Sequence, residues 1–244
     1  MLDKTQFLEL IDTAFSDNKI KDMLTEKIKD SFFTLATHLL TENEKYNLTA
    51  IKTPSGVAAL HFADCALLAR MLPEGARVSD VGCGAGFPSL PIAILRPDVT
   101  VTAIDSTQKR INFVNECISL LGLSNINAVC LRAEDAARRA DMREKFDVAT
   151  ARAVAELRVL CELCMPFVRV GGKFISMKGS GVAQESEAAK GAIRTLCGAV
   201  VGESEIFLNN FGESVGRSLI EIKKISVCPP KYPRPYSQIV KKPL

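Results

Sequence analysis

The sequence predicts an α/β fold: a mostly parallel, seven-stranded sheet with helices on both faces, preceded by an N-terminal helical extension. Three observations carry this. The first 72 residues repeat apolar positions at helical spacing. From residue 77, short β-branched runs alternate with helical patterns, the mark of βαβ crossovers. The last two strand candidates have no helix between them, so they are expected to pair antiparallel at one side of the sheet.

Residues 3–15 and 19–40 read as amphipathic helices, the first presenting Phe7, Leu8, Leu10, Ile11, Ala14 and Phe15, the second Ile20, Met23, Leu24, Ile28, Phe32, Leu35 and Leu39. Residues 44–49 are polar and irregular. A third helix is expected over about 54–70, with Pro54 suited to its first turn, and Pro73-Glu74-Gly75 ends it. Strands are expected at Arg77–Gly82, Val99–Asp105, Ile126–Leu131, Phe146–Thr150, Lys173–Met177, Glu203–Leu208 and Ser218–Ile225, and helices at about 87–95, 107–121, 155–168 and 182–198. Residues 228–244 hold five of the eleven prolines and four basic residues, and are expected to be extended rather than packed. The chain thus divides into a helical extension (1–72), an α/β domain (73–227) and a basic, proline-rich tail (228–244).

The 244 residues suffice for one large α/β domain. The formal charge of +3 is unevenly placed. From Arg217 onward seven basic residues face one acidic residue, Glu221, while the other 216 residues carry 24 basic and 27 acidic. An acidic body with a basic end suits an anionic partner held at that end, and equally a solubilising tail. No run of about 18 apolar residues exists, so no membrane-spanning helix is expected. The start MLDKTQFLELID is unlike a secretory signal. The expectation is a cytoplasmic protein with eight reduced thiols. Cys161-x-x-Cys164, without a second pair or histidines at ligand spacing, reads as core, and no metal is expected.

The chemistry concentrates in Asp80-Val81-Gly82-Cys83-Gly84-Ala85-Gly86-Phe87-Pro88, which comes after the first strand and opens a helix. Gly82, Gly84 and Gly86 let the backbone turn sharply and lie against a bound molecule. The pattern is GxGxG, lacking the later glycine of the dinucleotide fingerprint, which argues against NAD-dependent oxidoreduction. Asp105 ends the second strand, where a carboxylate can accept from both ribose hydroxyls of an adenosine. Arg132-Ala133-Glu134-Asp135 lies just beyond the third strand, where an adenine would rest. Carboxylates around a glycine loop suit an adenosine cofactor without phosphates, S-adenosylmethionine. Asp80 is placed either to help hold its ammonium group or to order the turn.

The segments NLTAI (47–51), DVGCGAGFPSLPIAI (80–94), AIDSTQKRINFV (103–114), FDVATARAVAEL (146–157), MKG (177–179) and PPKYPRPYSQIVKKPL (229–244) resemble the RsmG (GidB) family of bacterial 16S rRNA guanine-N7 methyltransferases, in order along nearly the whole chain. The resemblance implies a class I, Rossmann-like methyltransferase fold and a SAM-dependent enzyme acting on 16S rRNA or the small ribosomal subunit. The sequence is silent on oligomeric state, and a monomer is the default expectation. By position it implies Gly82 and Phe87 along the glycine loop, Asp105, Ser106 and Thr107 along the ribose, Ala133 and Glu134 about the adenine, and Arg152 at the cofactor or target guanine. The chain departs from the family at Cys83, where Ser or Thr is more usual, and at Ser89, where Gly is. Ser89 is expected to shift the helix start slightly.

N7 of guanine carries a lone pair and no proton, so direct methyl transfer needs no general base. The sequence after the fourth strand, Thr150-Ala151-Arg152-Ala153, agrees: it has neither the Asn/Asp-Pro-Pro-Tyr of amine methylases nor a Pro-Cys nucleophile. Arg152 is the first candidate for the substrate side, against the alternative of an ion pair with Glu156. Lys109, Arg110, Arg132 and Lys178 are rim candidates for RNA. Asn47, Thr49 and His61 match family positions near the cleft, with core or capping roles equally open. Lys231, Arg234, Lys241 and Lys242 are expected along the RNA backbone, with Tyr232 and Tyr236 available to stack bases. Rival readings are a methyltransferase for a small molecule or protein, and a non-catalytic RNA-binding assembly factor.

Overall fold

The computed structural model describes residues 2–152 and 155–244. Helix α1 (Lys4–Asp17) begins where Asp3 accepts from the Gln6 N–H at 2.9 Å, and α2 (Glu26–Tyr46) where Thr25 accepts from the Ile28 N–H at 3.3 Å. Each cap satisfies a donor that a helix start leaves free. The helix expected from residue 19 therefore starts later, after a single 3-10 turn at Lys21–Met23. Asn47 ends α2 in the left-handed region. The one helix expected over 54–70 is three segments: α3 (Pro54–Gly56), a π-helical stretch Val57–Ala63, and α4 (Asp64–Met71). Such wider turns often mark functional sites.

Seven strands form one sheet: β1 (Arg77–Val81), β2 (Thr100–Asp105), β3 (Ile126–Cys130), β4 (Phe146–Arg152), β5 (Val168–Gly179), β6 (Gly198–Asn210) and β7 (Glu213–Lys224), in the order β3-β2-β1-β4-β5-β7-β6. The first five pair in parallel and β7 runs antiparallel to both neighbours. The mostly parallel sheet with an antiparallel end is as the sequence predicts. β6 and β7 run beyond the expected Glu203–Leu208 and Ser218–Ile225, because residues 198–202 pair with 221–224 and residues 209–210 with 213–214, extending the hairpin at both ends.

One face of the sheet is covered by α5 (Ser89–Leu95), α6 (Gln108–Leu121) and the N-terminal helices; the other by α8 (Leu157–Cys164), α9 (Ala183–Thr195) and the C-terminal segment. A line of rings ties the first layer to the glycine loop. Phe32 stacks on Phe62 at 4.3 Å, and Phe62 lies 6.2 Å from Phe87. Cys161 and Cys164 are wholly buried, and burial pushes the Cys161 thiol well up.

The tail departs from expectation. It is packed, and it ends in a short helix, α10 (Tyr236–Lys241). Tyr232 and Ile239 are buried, so Tyr232 is not available to stack bases. The proline-rich backbone needs partners for its carbonyls, and two arginines supply them. Arg143 donates to the carbonyls of Cys228, Pro229 and Tyr232, and Arg138 to that of Pro233 at 2.6 Å. Arg234 forms a fork on the fully buried Glu162, at 2.8 and 2.6 Å.

Candidate active site

A cleft of about 850 Å³ opens outside the carboxyl ends of β1, β2 and β4, where ligands bind in open α/β sheets. Its floor is the turn after β1. Gly82 and Cys83 N–H groups both donate to the Ile104 carbonyl, fastening the turn to β2. Gly86 sits at φ +82°, and a Cβ there would fall 2.5 Å from Leu90 Cδ1, so only glycine fits. Asp80 is fully buried beneath this turn. Its Oδ2 accepts the Ser89 N–H at 3.1 Å and the Ser89 hydroxyl, and its Oδ1 has no partner among the described residues. Burial pushes its carboxyl up to about 6. The serine at position 89 therefore does more than shift a helix start: its hydroxyl binds the buried carboxylate. The geometry gives Asp80 the turn-ordering contact; it does not line the cleft.

Asp105 is nearly buried at the end of β2 and lines the cleft. Its Oδ2 accepts the Gly84 N–H at 3.0 Å and its Oδ1 the Thr107 N–H at 2.9 Å, with Arg110 at 3.4 Å. A carboxylate offers about four acceptor positions, so capacity remains for a ligand hydroxyl. Ser106, Ala133 and Glu134 line the same end, Glu134 from the single-turn helix α7 (Ala133–Ala136). Thr107 precedes α6, its side chain making no capping bond, and it does not line the cleft.

Arg152 stands at the end of β4 on the opposite side. It does not pair with Glu156, whose partner is Arg158 at 3.1 Å. Instead the N-terminal layer holds it. Its Nη1 donates to the Leu60 carbonyl at 3.1 Å and to Asp64 Oδ2 at 3.4 Å, its Nη2 meets His61 Nδ1 at 2.8 Å, and it lies 5.5 Å over the Phe87 ring. Three of the five guanidinium N–H donors are thereby engaged and two remain. Ala153 and Val154, next along the motif, lie outside the described residues.

Arginine has no acceptor, so His61 Nδ1 must accept, and the ring proton belongs on Nε2, facing Thr49 Oγ1 at 3.0 Å. The imidazole stacks on Phe87 at 4.1 Å. Burial, with the charges of Arg152 and Arg217, holds its pKa well below 6.5. His61 is thus a neutral positioning group with no charge to offer a phosphate.

Asp64 and Arg217 complete the cluster and had no place among the site residues expected from sequence. Asp64 is nearly buried and bridges both guanidiniums, taking Arg217 Nε on Oδ1 at 3.2 Å. A carboxylate three residues after a histidine in the otherwise apolar run Val57–Ala69 was the available signal. Arg217 was visible only as part of the basic end.

The basic candidates separate. Arg110, Arg132 and Lys178 line the cleft, but Lys178 is already bonded to the Ala155 carbonyl and to Glu185 at 2.7 Å. Lys109 is not among the lining residues and lies 3.9 Å over the Tyr46 ring, and Asn47 is an exposed helix cap. Lys241 and Lys242 are exposed, and Lys231 lies over the Tyr232 ring at 5.2 Å. Arg234 is held by Glu162 and Lys224 is fully buried on Glu144. Three of the seven basic residues of the C-terminal end, Arg217, Lys224 and Arg234, thus serve internal contacts.

Solved structures share this architecture. TYW2 of M. jannaschii in complex with AdoMet matches with a TM-score of 0.54 and 15% identity, over 66% of this chain and 75% of that one. The [4+2]-cyclase SpnF matches with a TM-score of 0.53 and 17% identity, over 67% and 82%. The fold is therefore the Rossmann-like one of class I methyltransferases, and it does not by itself fix the reaction. The sequence is more specific. The chain is 46% identical over 215 residues to ribosomal RNA small subunit methyltransferase G of Clostridium perfringens, spanning 87% of this chain and 89% of the relative. It is 39% identical to the protein of that name from Clostridium beijerinckii over 98% and 99%. A family model described as rRNA small subunit methyltransferase G matches residues 17–206. With a family model matched over residues 17–206 and relatives at 39–46% identity over most of both chains, the chain belongs to the rRNA small subunit methyltransferase G family.

Proposed function

We propose that this protein transfers a methyl group from S-adenosylmethionine to N7 of a guanine in small-subunit rRNA. The observation that carries the reading is the polarity of the cleft: Asp105 and Glu134 at one end, and two guanidiniums fixed on Asp64 at the other. The residues fit a cationic, phosphate-free adenosine cofactor, because nearly buried carboxylates line the adenosine end and Asp105 keeps acceptor capacity for hydroxyls. When bound, that cofactor supplies an electrophilic methyl on a sulfonium. The chain's own residues position the acceptor. N7 attacks with its lone pair and loses no proton, so no base is required, and catalysis is chiefly alignment. The two remaining Arg152 donors can engage guanine O6 or a neighbouring phosphate, leaving N7 free. Asp105 and Glu134 orient the adenosine; His61, Leu60, Asp64 and Phe87 orient Arg152. Arg110, Arg132, Lys109, Lys241 and Lys242 supply positive charge toward the RNA backbone.

The reading extends to a cytoplasmic monomer. The cleft is built within one chain, and no helix among the described residues is long and apolar enough to cross a membrane. The test is transfer of labelled methyl from S-adenosylmethionine to small subunits, or to naked 16S rRNA, from a strain lacking this enzyme. Label at a guanine N7 supports the proposal. Cofactor binding with label only in protein or a small molecule would redirect it, and absence of both would overturn it.

A further inference from the structure

The C-terminal segment, expected as a loose RNA-gripping tail, is tied down at several points around one end of the cleft. Arg143 and Arg138 hold its carbonyls, Arg234 forks onto Glu162 of α8, and Ile239 is fully buried. This leaves little freedom for the segment to track an RNA strand. It brings Tyr236 to the cleft, beside Leu131, Ala133 and Glu134. The Tyr236 N–H reaches Glu134 Oε1 at 3.3 Å, Oε2 has no hydrogen-bond partner among the described residues, and the tyrosine is 39% exposed. A partly exposed tyrosine lining the cleft next to a carboxylate suits an adenine: the flat base can pack on the ring while its exocyclic amine donates to the carboxylate.

We infer that the C-terminal segment is a cofactor strap, in which Tyr236 forms a wall of the adenine subsite and its backbone N–H orients Glu134. This rests on the S-adenosylmethionine reading. It assigns the tail to the cofactor and reserves RNA contact for its exposed lysines. It also explains why a proline-rich end is anchored by an ion pair on the buried Glu162 and by arginines on its carbonyls: the strap has to hold one place to serve as a wall.

The test compares wild type, Tyr236→Ala and Tyr236→Phe in the full-length protein. S-adenosylhomocysteine affinity is measured by calorimetry, 16S rRNA affinity without cofactor by filter binding, and unliganded melting is recorded for each. Base–aromatic packing predicts that Tyr236→Ala weakens S-adenosylhomocysteine binding by about tenfold. Tyr236→Phe should bind within about twofold of wild type because the ring persists. All three should melt alike and bind RNA alike. Equal S-adenosylhomocysteine affinity for wild type and Tyr236→Ala overturns the strap while leaving the cofactor reading intact. So does a loss confined to RNA affinity. A wild type that binds no S-adenosylhomocysteine overturns the cofactor reading itself, and the strap with it. If Tyr236→Ala melts lower, Tyr236→Leu, which keeps apolar bulk without the flat ring, takes its place: affinity within about twofold of wild type overturns the strap, and a loss near tenfold at unchanged melting supports it.

Discussion

His61 gives the cluster around Arg152 a pH signature that can be worked out in advance. Burial and two neighbouring guanidiniums keep the folded imidazole neutral well below pH 6.5, whereas in the unfolded chain it titrates near the ordinary value. Below that value the unfolded state binds more protons, so stability falls as pH falls. At pH 5.5 the unfolded imidazole is about ten parts protonated to one neutral, which costs the folded state about 1 kcal/mol relative to pH 7.5. Asp80 works in the opposite sense. Its folded carboxyl is raised to about 6 from 3.8, so the folded state takes up the proton first, and acidification over the same range returns about 1 kcal/mol. Wild type should therefore show a small net change from these two groups. The His61→Asn variant keeps an acceptor for Arg152, loses the ring stacked on Phe87, and keeps the Asp80 contribution alone. It should be less stable than wild type by about 2 kcal/mol at pH 7.5. That gap should narrow by about 1 kcal/mol at pH 5.5. Urea unfolding at the two pH values measures both numbers. An unchanged gap would refute the neutral, buried assignment of His61, as would an NMR titration near 6.5 assigned to the His61 ring, distinguished from that of His38 by its loss in His61→Asn.

The same geometry sets three further outcomes. Gly86→Ala combines φ +82° with a Cβ 2.5 Å from Leu90. It should cost about 2–3 kcal/mol and abolish cofactor binding, read by urea midpoint and calorimetry; wild-type stability would contradict the loop account. Asp64→Asn leaves Arg152 and Arg217 without their shared charge. It should lower methyl transfer by about 100-fold through kcat, with cofactor affinity unchanged, since the carboxylate lies at the substrate end. Equal losses in both would place Asp64 in the cofactor site instead. Glu162→Gln removes the buried charge under Arg234, which should cost about 3 kcal/mol and expose residues 228–244 to limited proteolysis. Unaltered cleavage would mean that the fork does not anchor the segment.

The parts of this molecule legible in its sequence are those built from local periodicity. β4 is legible through Phe146, Val148, Ala149 and Ala151, while β1 mixes Val78 and Val81 with the buried Ser79 and Asp80 and is marked mainly by the glycine turn that follows it, which announces itself by residue type. Asp105 and Glu134 were legible because the doubly wound topology sends the ends of β2 and β3 to the same crevice. Local pattern cannot carry a partner distant in sequence. Asp64 and Arg217 are 153 residues apart, and neither is conspicuous until the sheet brings β7 beside β5. The tail misled for a physical reason. Prolines remove N–H donors, which reads as an unpaired backbone, yet carbonyls can be satisfied by side chains, and Arg143 serves three of them here. Charge counting misled similarly, since a lysine sealed on Glu144 counts the same as one in water.

The holding of Arg152 by the π-helical stretch has a genetic consequence. A guanidinium that needs Leu60, His61 and Asp64 from the first 72 residues and shares its carboxylate with a residue on the seventh strand is assembled in full or not at all. Lesions that merely loosen the packing of Phe7, Phe32 or Phe62 reach the cleft through Phe87. The mutational target for loss of activity is then far wider than the cleft. Inactivating substitutions recovered by selection should scatter through the helical extension as readily as through the glycine turn.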